Sequence, residues 1–274
     1  MAETTSTTLA GLMPVIVADV QAIFKTQSAL FNAVYSKEAT NAHTVRFQSQ
    51  AAPLTGSAIS EGSQLTPVAI TIGAVDAALQ SYPLLARVSN QSILDSSTDV
   101  GYQVANSLAG NLALTMDTSI AALIPAFNGA TCGATGSVAG VSDLLKGLAL
   151  LDSTKYYGTK VVVMHPVMFS GMAKDLIAVA GMTREAIIQK GYVGTVFGAE
   201  IYVSPAVAVD SNGDSKAGIF FKEAGIGIGF HNPVINVSVA PDPNFAAQLI
   251  LGESFYKAVT LNAGAGVTLV GKSN

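Results

Sequence analysis

The spacing of apolar residues changes period along the chain, and the longest single period lies between Asp95 and Gly129. Val104, Leu108, Leu112, Met116 and Ile120 recur at every fourth position, with Ala105, Ala109 and Ala113 beside them, while Asn106, Asn111, Thr115 and Asp117 fall on other faces. That pattern predicts an amphipathic helix with one apolar stripe. Asp95, Ser96, Ser97, Thr98 and Asp99 precede it, hydroxyls and carboxylates that accept the free N–H groups of a helix start. Pro125 and the pair Asn128-Gly129 end it. From Thr98 to Ile124 the helix would run roughly 40 Å at ~1.5 Å per residue. A compact chain of this length has a radius of gyration of about 19 Å, so such a helix spans the molecule, as an ordinary long core helix also could.

Before the helix the pattern is less regular. Residues 1–8 read as a polar tail, and from Leu9 to Tyr35 apolar residues are dense, interrupted by Pro14. The spacing after Pro14 predicts helices over about Val15–Lys25 and Ser28–Lys37, a segment that packs on its own body or lies across a neighbour. His43 to Ala86 switches to period two: Val45 and Phe47 alternate with Arg46 and Gln48, then Val68, Ile70 and Ile72 with Ala69, Thr71 and Gly73. Pro53, Gly56, Gly62 and Pro67 lie between, and the whole predicts a long β-hairpin with an irregular tip around residues 58–63. Arms of up to ~15 residues would reach ~45–50 Å, and an open two-stranded ribbon is marginal alone in water.

After the helix, Gly129–Gly140 reads as a flexible linker; it lacks the Gly-Lys-Ser/Thr ending of a phosphate loop. A Ser142-capped helix over Asp143–Leu151, a strand over Thr159–His165, a helix over Pro166–Val179, a short helix over Arg184–Lys190 and a strand over Val193–Ser204 with a turn at Gly198 make an α/β layer. From Ala217 onward nearly everything is strand-like. Asp210–Asp214 lacks the closing Glu of a calcium loop and reads as a hairpin turn.

Composition changes this picture in one respect. Half the residues are hydrophobic, 12% are charged and the mean hydropathy is +0.46. No window of ~20 residues is free of polar interruption, so the apolar excess points to surface that other subunits cover. The net charge of −4 without a run of Lys or Arg shows no nucleic-acid footprint. The lone Cys132 excludes an intrachain disulfide and fits a reducing compartment. The first eight residues, with Glu3 among them, do not read as a signal peptide. His43, His165 and His231 lack metal spacing, and no nucleophile elbow, Walker loop or dinucleotide fingerprint occurs. His165, following a buried strand, is the one catalytic candidate, against a core or capping role. The expectation is a protein that is not an enzyme, with no cofactor, no metal site and no membrane contact.

The order of these elements resembles the major capsid proteins of tailed bacteriophages, the Hong Kong ninety-seven type fold. Ile59-Ser60-Glu61-Gly62 is similar to the acidic-Gly motif of that family's extended loop. Val88-Ser89 through Leu94-Asp95-Ser96 is similar to its lead into the spine helix. Lys160-Val-Val-Val-Met-His-Pro166 with Phe169, Leu176 and Phe197-Gly198-Ala-Glu-Ile-Tyr-Val-Ser204 resembles the strand, helix and returning strand of its axial domain.

The resemblance implies an α+β capsid fold with an N-terminal arm and first helix at 1–40 and the extended loop (E-loop) at 41–86. The peripheral domain with its spine helix would take 87–129 and 226–259, and the axial domain 130–225 and 260–274. It implies self-assembly as hexamers and pentamers into an icosahedral virion capsid in the host cytoplasm, enclosing double-stranded DNA without sequence-specific binding. Portal, scaffolding and decoration proteins would be further partners. An encapsulin-type compartment is the alternative of the same fold, and an α/β hydrolase the alternative of another class. Leu12, Val15, Ile16, Ile23 and Phe24 of the arm, with Arg46, Ile59 and Glu61 of the hairpin, are candidate contacts between subunits. Gly110, a poor helix former inside the long helix, is a candidate hinge. Some members of the family weld their lattice through a lysine of the extended loop. Here the basic side chains between Lys37 and Lys146 are Arg46, Arg87 and His43, so a non-covalent shell is expected.

Overall fold

The computed structural model describes residues 28–39, 43–49, 73–89, 91, 100–154, 156–172, 192–242 and 244–272. The every-fourth-residue stripe folds into helix α1, Val100–Ala121, about 33 Å long at ~1.5 Å per residue. Ala105, Leu108, Ala109, Leu112, Ala113, Met116 and Ile120 are each at most 3% exposed. Pro125 sits in a 3-10 turn, Ile124–Ala126, that follows the helix. On the exposed side, Thr115 Oγ1 donates to the Asn111 carbonyl at 2.8 Å, Thr118 Oγ1 to Leu114 at 2.7 Å and Ser119 Oγ to Thr115 at 2.9 Å. By length and hydropathy the segment Gln103–Ala126 would suffice to cross a membrane, which the sequence reading denied. Polar residues break the run without lowering its mean enough, and half of the segment is buried against the rest of the chain.

Helix α1 lies on a four-stranded sheet of order β1-β10-β11-β4, built from Tyr35–Ala39, Ile226–Asp242, Ala247–Thr260 and Gln80–Ser89. Strands β10, β11 and β4 are antiparallel, whereas β1 joins β10 in parallel, with Tyr35 opposite Gly227. Ile228, Ile235, Val237, Ile250, Tyr256 and Ala258 point into the core shared with α1, and Tyr82 stacks on Tyr256 with centroids 4.4 Å apart. The helix expected over Ser28–Lys37 is therefore corrected to a single 3-10 turn, Phe31–Ala33, followed by β1. Local spacing favoured the helix, but pairing with β10 satisfies this backbone as a strand.

The base of the hairpin is present. Strand β2, Thr44–Gln48, pairs antiparallel with β3, Ala74–Ala78. Val45 and Phe47 turn inward and pack with Ala39, Ala77 and Leu261. They sit over the glycines of β10: a Cβ on Gly229 would stand 3.0 Å from Val45 Cβ, and one on Gly227 3.1 Å from the Phe47 ring. Those glycines let two layers approach closely. Residues 80–86 leave the hairpin as the first part of β4. The hairpin tip at 58–63, the helices read over Val15–Lys25 and Arg184–Lys190, and the helix cap at 95–99 lie outside the described residues.

The second sheet has six strands, order β5-β12-β9-β6-β8-β7. They are Ala130–Val138, Gly266–Lys272, Asp214–Phe221, Lys160–Met164, Ala199–Val203 and Tyr192–Val196. Val161, Val163 and Phe220 face the core shared with α1; Val162, Met164 and Ile219 face helix α2, Val141–Ser153, through Leu144, Leu148 and Leu151. Residues 166–172 are helical on that same side. The flexible linker expected at Gly129–Gly140 is corrected to β5, which pairs in parallel with β12. Gly133 and Gly136 adopt φ of 81° and 79°, and the ladder is irregular between Val270 and Lys272. The expected Ser142 cap is corrected as well: the Asp143 carboxylate accepts the Gly140 N–H at 3.1 Å, ahead of a helix that begins at Val141. The turn at Phe197-Gly198 has both φ positive, 52° and 76°, the geometry of a two-residue hairpin. Asp210 Oδ1 closes the 210–214 turn by accepting the N–H groups of Asn212 and Asp214.

Candidate assembly surfaces

No catalytic constellation forms among the described residues. The His165 Nδ1 accepts the Val167 N–H at 3.2 Å, capping the helical residues 166–172, and burial holds its imidazole below the usual range. No group of three His, Cys, Asp or Glu that could hold a metal occurs among the described residues. The Cys132 thiol is buried between β5 and α2 and is pushed up to about 11 by desolvation and by the nearby Asp143 charge. It is an inert core thiol. A cavity of about 350 Å³ opens beside the end of α1 between Thr118, Ala122, Pro125, Val207 and Lys216, with mostly apolar walls.

What the chain does present is uncovered apolar area. The β4–β11 pairing places Leu85 opposite Leu251, Arg87 opposite Leu249, Pro83 opposite Glu253 and Ser81 opposite Phe255 on the sheet face away from α1. Leu85 is 59% exposed, and Leu249, Leu251 and Phe255 are half-buried. At the end of this face the Arg87 guanidinium lies 4.1 Å from the Phe245 ring centroid and 3.2 Å from Asp242. Phe245 itself is 62% exposed. An exposed apolar stripe of this kind marks a contact surface.

Of the contact candidates read from sequence, Leu12, Val15, Ile16, Ile23, Phe24, Ile59 and Glu61 lie outside the described residues. Arg46 projects from β2 and is engaged within its own hairpin: Nε and Nη2 donate to the two Asp76 carboxylate oxygens at 2.7 and 2.9 Å. Those hydrogen bonds, with the paired charge, raise the guanidinium and lower the Asp76 carboxyl. Gly110 is half-buried within α1, and the helix runs through it without a break.

Sequence reasoning missed Asp117, which it placed on a polar helix face. Asp117 is 3% exposed. Its Oδ1 accepts the Ser28 hydroxyl at 2.8 Å and the Leu30 N–H at 3.2 Å, and its Oδ2 accepts the Ala29 N–H at 3.1 Å. Burial pushes its carboxyl above the usual carboxylate range, opposed by these bonds and by the Ser204 hydroxyl. The signal available in sequence was a single acid in an otherwise uncharged helix.

No family model matches the chain, and no curated protein matches its sequence. Solved structures do match. The capsid of a native GTA particle aligns with TM-score 0.64 at 15% identity, over 89% of this chain and 90% of that one. A chain of Mycobacterium phage Che8 aligns with TM-score 0.59 at 18% identity, over 84% and 85%. A chain of the encapsulin complex from Synechococcus elongatus aligns with TM-score 0.57 at 12% identity, over 89% and 87%. The chain has the Hong Kong ninety-seven type capsid fold, an α+β fold shared by phage capsids and encapsulin shells.

Proposed function

We propose that this chain is a phage major capsid protein, a structural and non-enzymatic subunit of an icosahedral shell around double-stranded DNA. The carrying observation is the fold itself, shared with the capsid of the GTA particle over 89% of the chain. In this reading α1 is the spine helix, the β2–β3 base leads into the extended loop, and the four-stranded sheet with α1 forms the peripheral domain. The six-stranded sheet forms the axial domain. Hexamers and pentamers assemble in the host cytoplasm, and the apolar face around Leu85 and Leu251 is covered by a neighbour. The arm residues Leu12, Val15, Ile16, Ile23 and Phe24 lie across adjacent subunits, with Ile59 and Glu61 of the loop as further contacts. Portal, scaffolding and decoration proteins complete the particle.

The shared fold with the Synechococcus elongatus encapsulin complex favours a second reading, a protein compartment without a genome. Electron microscopy of the purified protein should show closed shells; a monomer at high concentration, even with a scaffold added, overturns both readings. Buoyant density then separates them, because particles packed with DNA are far denser than protein. The absence of a hairpin lysine supports a non-covalent lattice. Mature particles boiled in detergent should run as one band near 28 kDa, and a ladder surviving reductant would refute this.

A further inference from the structure

Asp117 occupies a place that neither packing nor solubility explains. It is the one acid of α1, it sits about one turn before the end of that helix, and it is almost fully buried. Its oxygens take the Ser28 hydroxyl and the N–H groups of Ala29 and Leu30, the very donors that precede the 3-10 turn Phe31–Ala33. Ser28 Oγ in turn accepts the Phe31 N–H at 3.4 Å. Leu30, the N-cap of that turn, makes no side-chain cap bond of its own. Leu30, Ala33 and Val34 are then buried against α1. From the other side Asp117 meets the Ser204 hydroxyl, at the end of β8 in the six-stranded sheet. From α1 the side chain therefore bonds residues 28–30 and, on its other side, Ser204 just beyond β8.

We propose that Asp117 is a positioning residue that pins residues 28–30 to the last turns of α1, fixing the point at which the chain enters the described fold. The functional part of this inference rests on the shell reading. If residues 1–27 contact neighbouring subunits, a pull on them is delivered to α1 at Asp117 instead of loosening the segment that carries them. The pin is electrostatic as well as steric, since a carboxylate accepts all of these bonds and a carboxamide cannot.

The test compares the unaltered chain with Asp117→Asn by amide hydrogen exchange in the unassembled subunit. The expected result is exchange of the Ala29 and Leu30 amides at least tenfold faster, with the α1 amides from Ala105 to Met116 unchanged. Unchanged exchange at Ala29 and Leu30 overturns the proposal, and so does an equal rise along α1, which would make Asp117 a general core residue. Should Asp117→Asn fail to fold, Ser28→Ala removes one bond without touching the helix and should give the same local pattern, more weakly. In the assembly assay, the loosened variant should form shells with reduced yield. Normal yield despite a loosened root overturns the coupling of pin to lattice. Failure of the unaltered chain to form shells strikes the shell reading alone, because the exchange result is obtained without assembly.

Discussion

The two sheets are built from similar residues and are finished differently. The central strands of the six-stranded sheet are covered by their own chain on both faces: Val161 and Val163 pack toward α1, Val162 and Met164 toward α2, and all four are fully buried. The four-stranded sheet is covered by α1 on one face; on the other, among the described residues, the β2–β3 hairpin covers β10 at Gly227 and Gly229 but leaves the β4 edge open. Its inner residues Ile250 and Tyr256 are buried, while across the strand from Leu251 the outer Leu85 stays 59% exposed. A chain with 12% charged residues thus confines its unspent apolar area to particular places. One layer supplies the stability of the subunit, and in the shell reading the other supplies surface for association.

The sharpest way to break this contrast is to damage the closed layer. Leu144→Ala, at a fully buried position of α2, should destabilise the subunit by about 2–5 kcal/mol in denaturant unfolding. A loss under about 1 kcal/mol would mean that this layer is not tightly closed. Alkaline pH probes the join between α1 and the four-stranded sheet. Burial, as its largest cause, pushes the Tyr256 phenol up to about 12 from an ordinary value of 10.0. The folded chain holds that proton more tightly than the unfolded one. Stability from this group is therefore complete below about pH 10 and is lost as pH rises toward about 12. Tyr256→Phe should flatten that decline, and an unaltered pH profile in the variant would refute the assignment.

Smaller effects follow on α1 and the open face. Gly110→Ala should leave the helix intact and shift subunit stability by up to about 1 kcal/mol in its favour. If Gly110 is a hinge of the shell, the variant should also slow expansion of assembled particles, followed by small-angle scattering; unchanged kinetics would remove the hinge. Leu85→Ser should alter subunit stability least, by about 0.5 kcal/mol or less, yet lower shell yield in light scattering. If Leu85→Ser instead unfolds the subunit, the outer face is core and the contrast between the sheets fails.

What could be read from sequence depended on how far each residue's partners lie along the chain. Helix α1 was legible because its stripe is periodic on its own: every Leu, Met and Ile from Leu108 to Ile120 falls where the spacing put it, apart from the exposed Leu114. The Phe197-Gly198 and Asp210–Asp214 turns were legible because their chemistry is local. Strand β5 was not, since GATCGATGSV has no strand periodicity and becomes a strand only beside β12, with Gly133 and Gly136 supplying backbone that other residues resist. Strand β1 was hidden for the same reason, its partner β10 lying at the other end of the sequence. The candidate surfaces divided likewise: Arg46 was visible as a charge but not as half of a pair with Asp76, and Asp117 was visible as a residue but not as a pin.

The position of β12 carries a consequence for the life of the newly made chain. Although it comes last in order, it lies inside the six-stranded sheet, between β5 and β9, and β4 likewise waits for residues 247–260 of β11. Synthesis proceeds from the N-terminus at about 5–20 residues per second, so for much of that time neither sheet can close. Pairings this distant in sequence also make folding slow once the chain is complete. Fragments still short of β12 on the ribosome therefore carry no completed six-stranded sheet and, in the shell reading, offer no finished surface on which a lattice could grow.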